Sequence, residues 1–363
     1  MTTFVTRLAS FLLIAVAMSS AWAADTPVTN RDVVRKFATL RDGVRFPEGI
    51  TANPANGDIY VSTFDYQGNP NKLLRYSRDG RLLAEKDFGA TPLLGLAFDS
   101  AQQKVYIAAV GDFSGTGSRI QRIAANFDAS TPAEDISVIP GIGAPAFRVV
   151  DNPDGSNDTI TFGTGARVPN ALALGGDGKL YVSDSFQGAI FRIDNPGTCT
   201  PPTPCISTLV HDPLLATAGF PPFGANGLAF NADGSALFVA NTGDDRVLKA
   251  DMTTQVVSVF AESINGADGI AFDGDGRLWV CANQNDEIVA VNANGRVIAR
   301  LGQFVGIGHD GAPIGLLFPA SIVIVGNEMF VTNLALALDG VSGNEAEEEV
   351  TRWTVSRIQL PNK

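Results

Sequence analysis

Histidine and cysteine are scarce in this chain, whose 363 residues include two His and three Cys. No Cys-x-x-Cys pair occurs, so the sequence does not favour a structural zinc site. The chain also lacks a phosphate-binding P-loop, a dinucleotide-binding glycine fingerprint and the nucleophile elbow of serine hydrolases. These absences argue against the common nucleotide-binding and serine-hydrolase classes.

Basic residues are outnumbered, since 26 Lys and Arg stand against 38 Asp and Glu and the formal net charge is −12. An acidic chain is a poor partner for nucleic acid or for anionic membrane surfaces, and a fair one for cations. The charge is equally consistent with a role in solubility alone. We therefore expect a small-molecule substrate and no nucleic-acid partner, and the sequence leaves the oligomeric state open.

Long apolar runs are scarce as well. One such run covers residues 11–18, follows Arg7 and precedes the small-x-small triplet Ala21-Trp22-Ala23. It is too short to span a bilayer, and this order is typical of a secretory signal peptide. We predict a signal peptide over residues 1–23, cleavage after Ala23, and a periplasmic or secreted mature chain without a membrane span.

The three cysteines differ in their expected states. Cys199 and Cys205 enclose the short loop Thr-Pro-Pro-Thr-Pro in a chain that is expected to reach an oxidising compartment, so a disulfide is predicted between them. Cys281 lies in the apolar run Leu-Trp-Val-Cys-Ala, where alternation places it near the core. We expect it to be buried and free.

Glycine, by contrast, is frequent, with 38 residues, and it punctuates a repeat. Six copies of a short apolar run, a turn and a second apolar run begin near residues 46, 94, 168, 225, 266 and 318. Most copies are followed by a third apolar run, and several by a fourth. Four antiparallel strands per repeat are typical of propeller blades. The sequence predicts an all-β fold, a six-bladed β-propeller formed by residues 24–363 as a single domain.

The two ends of the chain are predicted to close the ring. Residues 351–360 alternate between apolar and polar side chains, and a strand near Val34 is expected to join the same blade, which removes exposed strand edges. Residues 141–165 are rich in Gly, Asn and Asp and are expected to form an inserted loop over one face. Residues 345–349, mostly Glu, are expected to form a solvated loop.

The candidate site comes from one position of the repeat, just before the first apolar run. In the six copies this position holds Glu48, Leu94, Asn170, Asn226, Asp268 and Ala320. Equivalent positions of a propeller surround one axis, so the two carboxylates and two amides are expected to converge. Oxygen donors without thiol or imidazole favour a hard cation, calcium best of all, with Mg2+, Mn2+ or Zn2+ as alternatives. Asn and Asp before Gly are also ordinary turn residues, which is the simpler interpretation of two of the four.

Four short motifs resemble, in the same order, the pattern of the SMP-30/gluconolactonase family and, more distantly, of paraoxonases and diisopropylfluorophosphatases. They are Pro47-Glu48-Gly49, Pro169-Asn170, Asn226-Gly227-Leu228-Ala229 and Asp268-Gly269-Ile270-Ala271. The resemblance implies a six-bladed propeller with one catalytic divalent cation in its central tunnel. It also implies that Glu48, Asn170, Asn226 and Asp268 are the metal ligands, and that Asp268 acts as base or nucleophile.

The predicted function is therefore that of an exported, calcium-dependent lactonase or esterase. Arg167, close to Asn170 in sequence, is the candidate substrate-binding residue. His211 and His309 fall in predicted loops, do not match the histidine pair of paraoxonases, and are expected on the surface or behind the ligands. Two alternatives stay open: a non-catalytic NHL-type propeller that serves as a binding scaffold, and a strictosidine-synthase-like protein that hydrolyses nothing.

Overall fold

The computed structural model describes residues 27–113, 116–163, 165–203, 205–338 and 343–361. The predicted signal peptide, residues 1–23, lies outside the described residues. The described chain forms six antiparallel blades, each with four strands in antiparallel order. The inner strands of the six blades contact one another in a closed ring, from the first blade round to the sixth and back. The predicted all-β, six-bladed β-propeller is confirmed.

The first three blades follow one another along the chain, and each runs from its inner strand to its outer strand. Blade 1 consists of Pro47–Ala52, Ile59–Thr63, Lys72–Tyr76 and Leu82–Asp87. Blade 2 consists of Leu93–Asp99, Lys104–Ala109, Arg119–Ala124 and Glu134–Val138. Blade 3 consists of Pro169–Leu174, Leu180–Asp184, Ala189–Ile193 and Ile206–His211.

The last three blades include the strands that join the two ends of the chain. Blade 4 consists of Ala225–Phe230, Ala236–Asn241, Arg246–Asp251 and Val257–Glu262. Blade 5 consists of Ala267–Phe272, Leu278–Ala282, Glu287–Val291 and Val297–Leu301, with Val28–Asn30 added as a parallel fifth strand. Blade 6 consists of Pro319–Val325, Glu328–Asn333, Thr354–Gln359 and Val34–Thr39.

Ring closure occurs in blade 6. The amino-terminal strand Val34–Thr39 pairs antiparallel with the carboxy-terminal strand Thr354–Gln359, with Val34 opposite Ile358. The two ends of the chain therefore complete one sheet, as the sequence predicts. The parallel strand Val28–Asn30 on blade 5 has no counterpart in the sequence prediction.

Burial is deepest in the second strand of each blade. Every residue of Ile59–Thr63, Leu180–Asp184 and Leu278–Ala282 is buried, because neighbouring blades pack against both faces of these strands. Outer strands such as Leu82–Asp87 are half-exposed. This gradient explains why the second strands are mostly apolar while outer strands such as Leu82–Asp87 contain more charges. A fully buried side chain such as Trp279 stabilises the fold by roughly 1.5–3 kcal/mol.

Two insertions differ from their predicted form. The segment predicted as an inserted loop contains a hairpin, Arg148–Asp151 with Asn157–Ile160, whose turn holds Gly155 at a φ of 84°. The acidic stretch includes a short 3-10 helix, Ala346–Glu349. A second 3-10 helix, Asn283–Asn285, follows the second strand of blade 5. Another extra hairpin pairs Phe304–Ile307 with Pro313–Gly315.

Cys199 and Cys205 are joined by a disulfide within blade 3, and Cys281 is free and buried in blade 5. Within the described ranges, no helix combines the length and the apolar character needed to cross a membrane.

Candidate active site in the central tunnel

Every inner strand contains a β-bulge at the same place. In blade 1, Pro47 pairs with Thr63 and Ile50 with Val61, so that Glu48 and Gly49 together stand opposite Ser62. The same shift recurs in the other five blades. The first residues of the six bulges are Glu48, Leu94, Asn170, Asn226, Asp268 and Ala320. A bulge re-aims a side chain, so the six equivalent positions of the repeat are equivalent in geometry as well.

The structure brings the four polar members of this set to one cavity. Glu48, Asn170, Asn226 and Asp268 all line one cavity of about 30 Å³ at one end of the tunnel. Their exposed fractions are 4%, 2%, 6% and 4% respectively. They come from blades 1, 3, 4 and 5, so the convergence results from closing the ring.

Glycine at the second bulge position lets neighbouring inner strands approach closely. A Cβ added to Gly227 would lie 2.3 Å from the carbonyl oxygen of Asp268, and one added to Gly49 would lie 2.2 Å from that of Leu94. Asn226 and Asp268 both lie within strands. The interpretation of these two residues as turn formers is therefore wrong, because their glycines serve strand packing.

The two amides at the site are oriented by hydroxyl groups that the sequence analysis did not single out. Asn170 donates its Nδ2 hydrogen to Ser185 Oγ over 3.0 Å, and Asn226 donates its Nδ2 hydrogen to Thr242 Oγ1 over 2.9 Å. Each bond fixes the amide nitrogen and leaves the Oδ1 unused by that contact. The Oδ1 atoms of the two amides are thus the atoms that can bind a ligand in the cavity.

Asp268 is held in a similar way. Asn283 donates its Nδ2 hydrogen to Asp268 Oδ2 over 2.9 Å, while Asp268 Oδ1 is buried without a hydrogen-bond partner. Glu48 Oε2 is also buried without a partner. Unpaired buried carboxylate oxygens are costly, because each has lost its water without gaining a donor. A native site that retains two such oxygens is therefore a candidate binding site for a cation or for a hydrogen-bond donor.

The supporting residues occupy a second equivalent position of the repeat, directly after the second strand. Polar residues follow the second strand in the three blades whose bulge residue is Asn or Asp, and apolar residues follow it in the others. In blade order, this position holds Phe64, Val110, Ser185, Thr242, Asn283 and Leu334. Comparing this position across the six copies would have found the supporting residues.

Burial dominates the electrostatics of the two carboxylates. It raises the pKa of Asp268 to about 7, against the smaller lowering effect of the hydrogen bonds with Asn283 and Asn226. Burial, together with the charge of Asp268, raises the pKa of Glu48 well above its usual range. Ionisation of both carboxyl groups is therefore unfavourable unless a positive charge lies between them.

The donor set fits a hard divalent cation. Two carboxylates and two amide oxygens face one cavity, and two of the carboxylate oxygens have no partner. Across the part of the chain that the structure describes, no group of three or more His, Cys, Asp or Glu side chains is placed to hold a metal. A cation at this site would therefore depend on the amide oxygens of Asn170 and Asn226.

The remaining wall of the cavity is apolar. It combines residues from blades 1, 2 and 6 with residues of the insertion that precedes blade 4. They are Phe64, Leu94, Pro221, Phe223, Phe318, Leu334, Leu336 and Leu338.

Three other sequence candidates lie elsewhere. Among the described residues, those that line the cavity do not include Arg167, His211 or His309. Arg167 is half-buried with its guanidinium against Gly141, and its carbonyl oxygen accepts a hydrogen bond from Ser118. Both histidines are exposed. The predicted role of Arg167 in substrate binding has no support in this geometry.

Fold and site together define a six-bladed propeller with an oxygen-only polar centre in its tunnel. Residues 221–302 match the model of one protein family, described as the SMP-30/Gluconolactonase/LRE-like region. This segment carries Asn226 and Asp268. The match confirms, for that part of the chain, the resemblance predicted from the motifs.

Three solved structures illustrate the likeness of the whole fold. A luciferin-regenerating enzyme is 14% identical with a TM-score of 0.61, over 90% of this chain and 95% of its own. The calcium-binding protein regucalcin of Agrobacterium tumefaciens is 14% identical with a TM-score of 0.56, over 93% and 98%. A gluconolactonase of Xanthomonas campestris is 17% identical with a TM-score of 0.52, over 89% of each chain. At these identities the likeness shows the fold. No curated protein matches this chain in sequence.

Proposed function

We propose that this protein is a metal-dependent hydrolase of lactones or related esters. The observation that carries the proposal is the pair of buried, partnerless carboxylate oxygens, Glu48 Oε2 and Asp268 Oδ1, in one tunnel cavity. A binding scaffold gains nothing from two such groups and bears their desolvation cost. The family match and the likeness to a gluconolactonase support a lactonase-type function.

The cation is part of this proposal. Glu48, Asn170, Asn226 and Asp268 would hold it, and their mixed carboxylate and amide oxygens favour calcium over Mg2+, Mn2+ or Zn2+. The likeness to a calcium-binding regucalcin supports this choice. When bound, a divalent cation supplies positive charge that polarises an ester carbonyl and stabilises the oxyanion.

Asp268 is the proposed base or nucleophile. Asn283 holds its Oδ2, so the Oδ1 is the oxygen free to accept a proton from water or to attack the carbonyl carbon. Glu48 would contribute the second carboxylate ligand of the cation and so part of the negative charge that balances it. The apolar wall keeps bulk water away from the reacting groups and strengthens these electrostatic interactions.

We also propose that the mature chain is exported to the periplasm or secreted. The support is the signal-like pattern of residues 1–23 together with the disulfide between Cys199 and Cys205, which suits an oxidising compartment. Fractionation of cells that express the full chain, with sequencing of the mature amino terminus, tests this proposal. A product found in the cytoplasm with residues 1–23 intact would contradict it.

The hydrolase proposal is tested with metal-stripped mature protein and a panel of lactones and aryl esters. Each substrate is assayed alone and with Ca2+, Mg2+, Mn2+ or Zn2+, and Glu48→Gln and Asp268→Asn are compared with Asp233→Asn, which removes a carboxylate from an exposed hairpin turn. We expect cation-dependent hydrolysis that both site variants lose and the control keeps. Equal rates in all four proteins, or none in the wild type with any cation, would overturn the proposal.

A further inference from the structure

Most polar groups of the cavity already have a role, either as proposed cation ligands or as hydrogen-bond partners of those ligands. Of the residues that line it, the polar ones are Glu48, Asn170, Asn226, Thr242, Asp268 and Asn283. Glu48, Asn170, Asn226 and Asp268 are the proposed cation ligands. Thr242 accepts a hydrogen bond from Asn226, and Asn283 donates to Asp268 and accepts from Gln284. Beyond the cation ligands, the cavity therefore offers few polar groups to the several hydroxyl groups of a sugar.

A segment of irregular backbone after the second strand of blade 6 supplies one side of the wall. Ala335 has a φ of 44°, so the segment is not a strand. Leu334, Leu336 and Leu338 all line the cavity and together form one apolar face, the leucine face. The segment is anchored at both ends, because Trp353 Nε1 donates to the Leu334 carbonyl oxygen and the Leu338 N–H donates to Glu345. The leucine face is therefore a fixed part of the site.

Aromatic rings supply another part of the wall. Phe64 packs against Tyr66 and Phe113, each with a centroid separation of 5.9 Å, and Phe223 packs against Phe186 at 5.5 Å. Because each lining ring is held by a second ring, the aromatic wall has a defined shape.

The apolar surface continues outward from this wall. Tyr66, which touches the lining residue Phe64, is 47% exposed, and Phe220, next to the lining residue Pro221, is 63% exposed. Large aromatic side chains exposed beside an apolar cavity are typical of a binding surface for an apolar ligand.

From these observations we infer that the substrate of the proposed hydrolase is an apolar lactone or ester, one that carries an alkyl chain or an aromatic ring. A polyhydroxylated sugar lactone is disfavoured, because its hydroxyl groups would lose water against leucine and phenylalanine without gaining partners. The inference rests on the proposed function and specifies its substrate class. The cavity at the ligands is small, at about 30 Å³, so only the reacting group enters it and the alkyl chain or ring lies against the leucine and phenylalanine side chains around it.

The first test measures kcat/KM for γ-lactones with alkyl side chains of increasing length, beside gluconolactone, at saturating Ca2+. We expect kcat/KM to rise about threefold to fourfold per added methylene until the chain extends past the apolar wall, and then to level off. Hydrolysis of gluconolactone in preference to every alkyl lactone would overturn the inference and leave the proposed function intact. Hydrolysis of neither class with any cation would overturn the proposed function, and the inference with it.

The second test uses the leucine face. Leu336→Ala enlarges the cavity, so the chain length with the highest kcat/KM should increase. Leu338→Ala, at a less buried position, provides the same test should the first variant fail to fold. Leu82→Ala, on the exposed outer strand of blade 1, is the matched control. An unchanged length preference in a folded Leu338→Ala protein would contradict the inference.

A binding measurement completes the design without turnover. Lactams that carry the same alkyl chains resist hydrolysis, and their affinity is measured by calorimetry with wild-type protein. Affinity that rises with chain length, with a negative heat-capacity change, supports an apolar site. Affinity independent of chain length would overturn it.

Discussion

Asn283 donates a hydrogen bond to one of the two carboxylate oxygens of Asp268, the proposed base. The Asn283 Nδ2 hydrogen reaches Asp268 Oδ2 over 2.9 Å, and Oδ1 is buried without a partner. Asn283 thereby orients the carboxylate and favours its ionised form, against the burial that raises its pKa. Asn283 is a positioning residue for Asp268.

Replacing Asn283 should impair this arrangement without removing the base. Asn283→Ala leaves Oδ2 without its donor, so we expect the pKa of Asp268 to rise and kcat to fall about 10-fold to 100-fold, as for a lost hydrogen bond to a charged group. The pH–rate profile checks this, and its acid limb should move to higher pH. Asn283→Ser, which keeps a donor, should recover part of the rate. A lower rate with an unmoved profile would assign Asn283 a purely structural role.

Replacing Asp268 and replacing Asn226 should have different effects on turnover and on cation affinity. Asp268→Asn keeps an oxygen but removes the charge and the base, so turnover should disappear while some cation binding remains. Asn226→Ala removes a neutral ligand, so cation affinity should fall about 10-fold to 100-fold and excess cation should restore part of the rate. Calorimetric titration with Ca2+ and rates against Ca2+ concentration check both. Near-normal turnover of Asp268→Asn at saturating cation would show that Asp268 is not the base.

Gly227, at the second bulge position of blade 4, should tolerate no side chain. Gly227→Ala places a Cβ 2.3 Å from the Asp268 carbonyl oxygen, so the inner strands of blades 4 and 5 must separate. We expect a loss of about 1–3 kcal/mol in the free energy of unfolding, as for overpacked cores. Gly274→Ala is the matched control, since a Cβ there meets nothing within 4 Å. Urea unfolding measures both, and equal midpoints would contradict the packing role of Gly227.

Asp286 should make stability depend on pH. Its pKa is raised to about 6 by burial, although its side chain accepts a hydrogen bond from the Phe318 N–H over 2.8 Å. The nearby carboxyl of Glu347 also has a raised pKa, chiefly through burial and in part through the charge of Asp286. Between about pH 4 and pH 6 the folded protein binds more protons at Asp286 than the unfolded chain does.

The stability contributed by the protonated Asp286 carboxyl should therefore be lost as pH rises through that window. Asp286→Asn cannot titrate, so the difference in free energy of unfolding between the two proteins should change by up to about 2 kcal/mol from pH 4 to pH 7. Urea unfolding at a series of pH values measures the difference. A constant difference across the series would show that the pKa of Asp286 is not raised.

The repeat made the fold and the four central residues predictable. Each blade uses one strand pattern, and the bulge residue stands at a fixed place in it, so alignment of the copies finds Glu48, Asn170, Asn226 and Asp268. The apolar wall could not be found in this way. Phe223 and Leu336 belong to connections that differ from blade to blade, and only tertiary packing brings them beside the bulge residues. Arg167 is close to Asn170 in sequence, but it is not among the residues that line the cavity.

The pairing of Val34–Thr39 with Thr354–Gln359 also sets an order of assembly. The five other blades lie between these two strands in the sequence, so the sheet that joins them can form only when the chain between them is available. Thr332, in the second strand of that blade, donates its hydroxyl hydrogen to the Glu48 carbonyl oxygen over 2.6 Å. The backbone of a central carboxylate is thus tied to the blade that joins distant parts of the chain, and the reaction centre is complete only when that blade has closed.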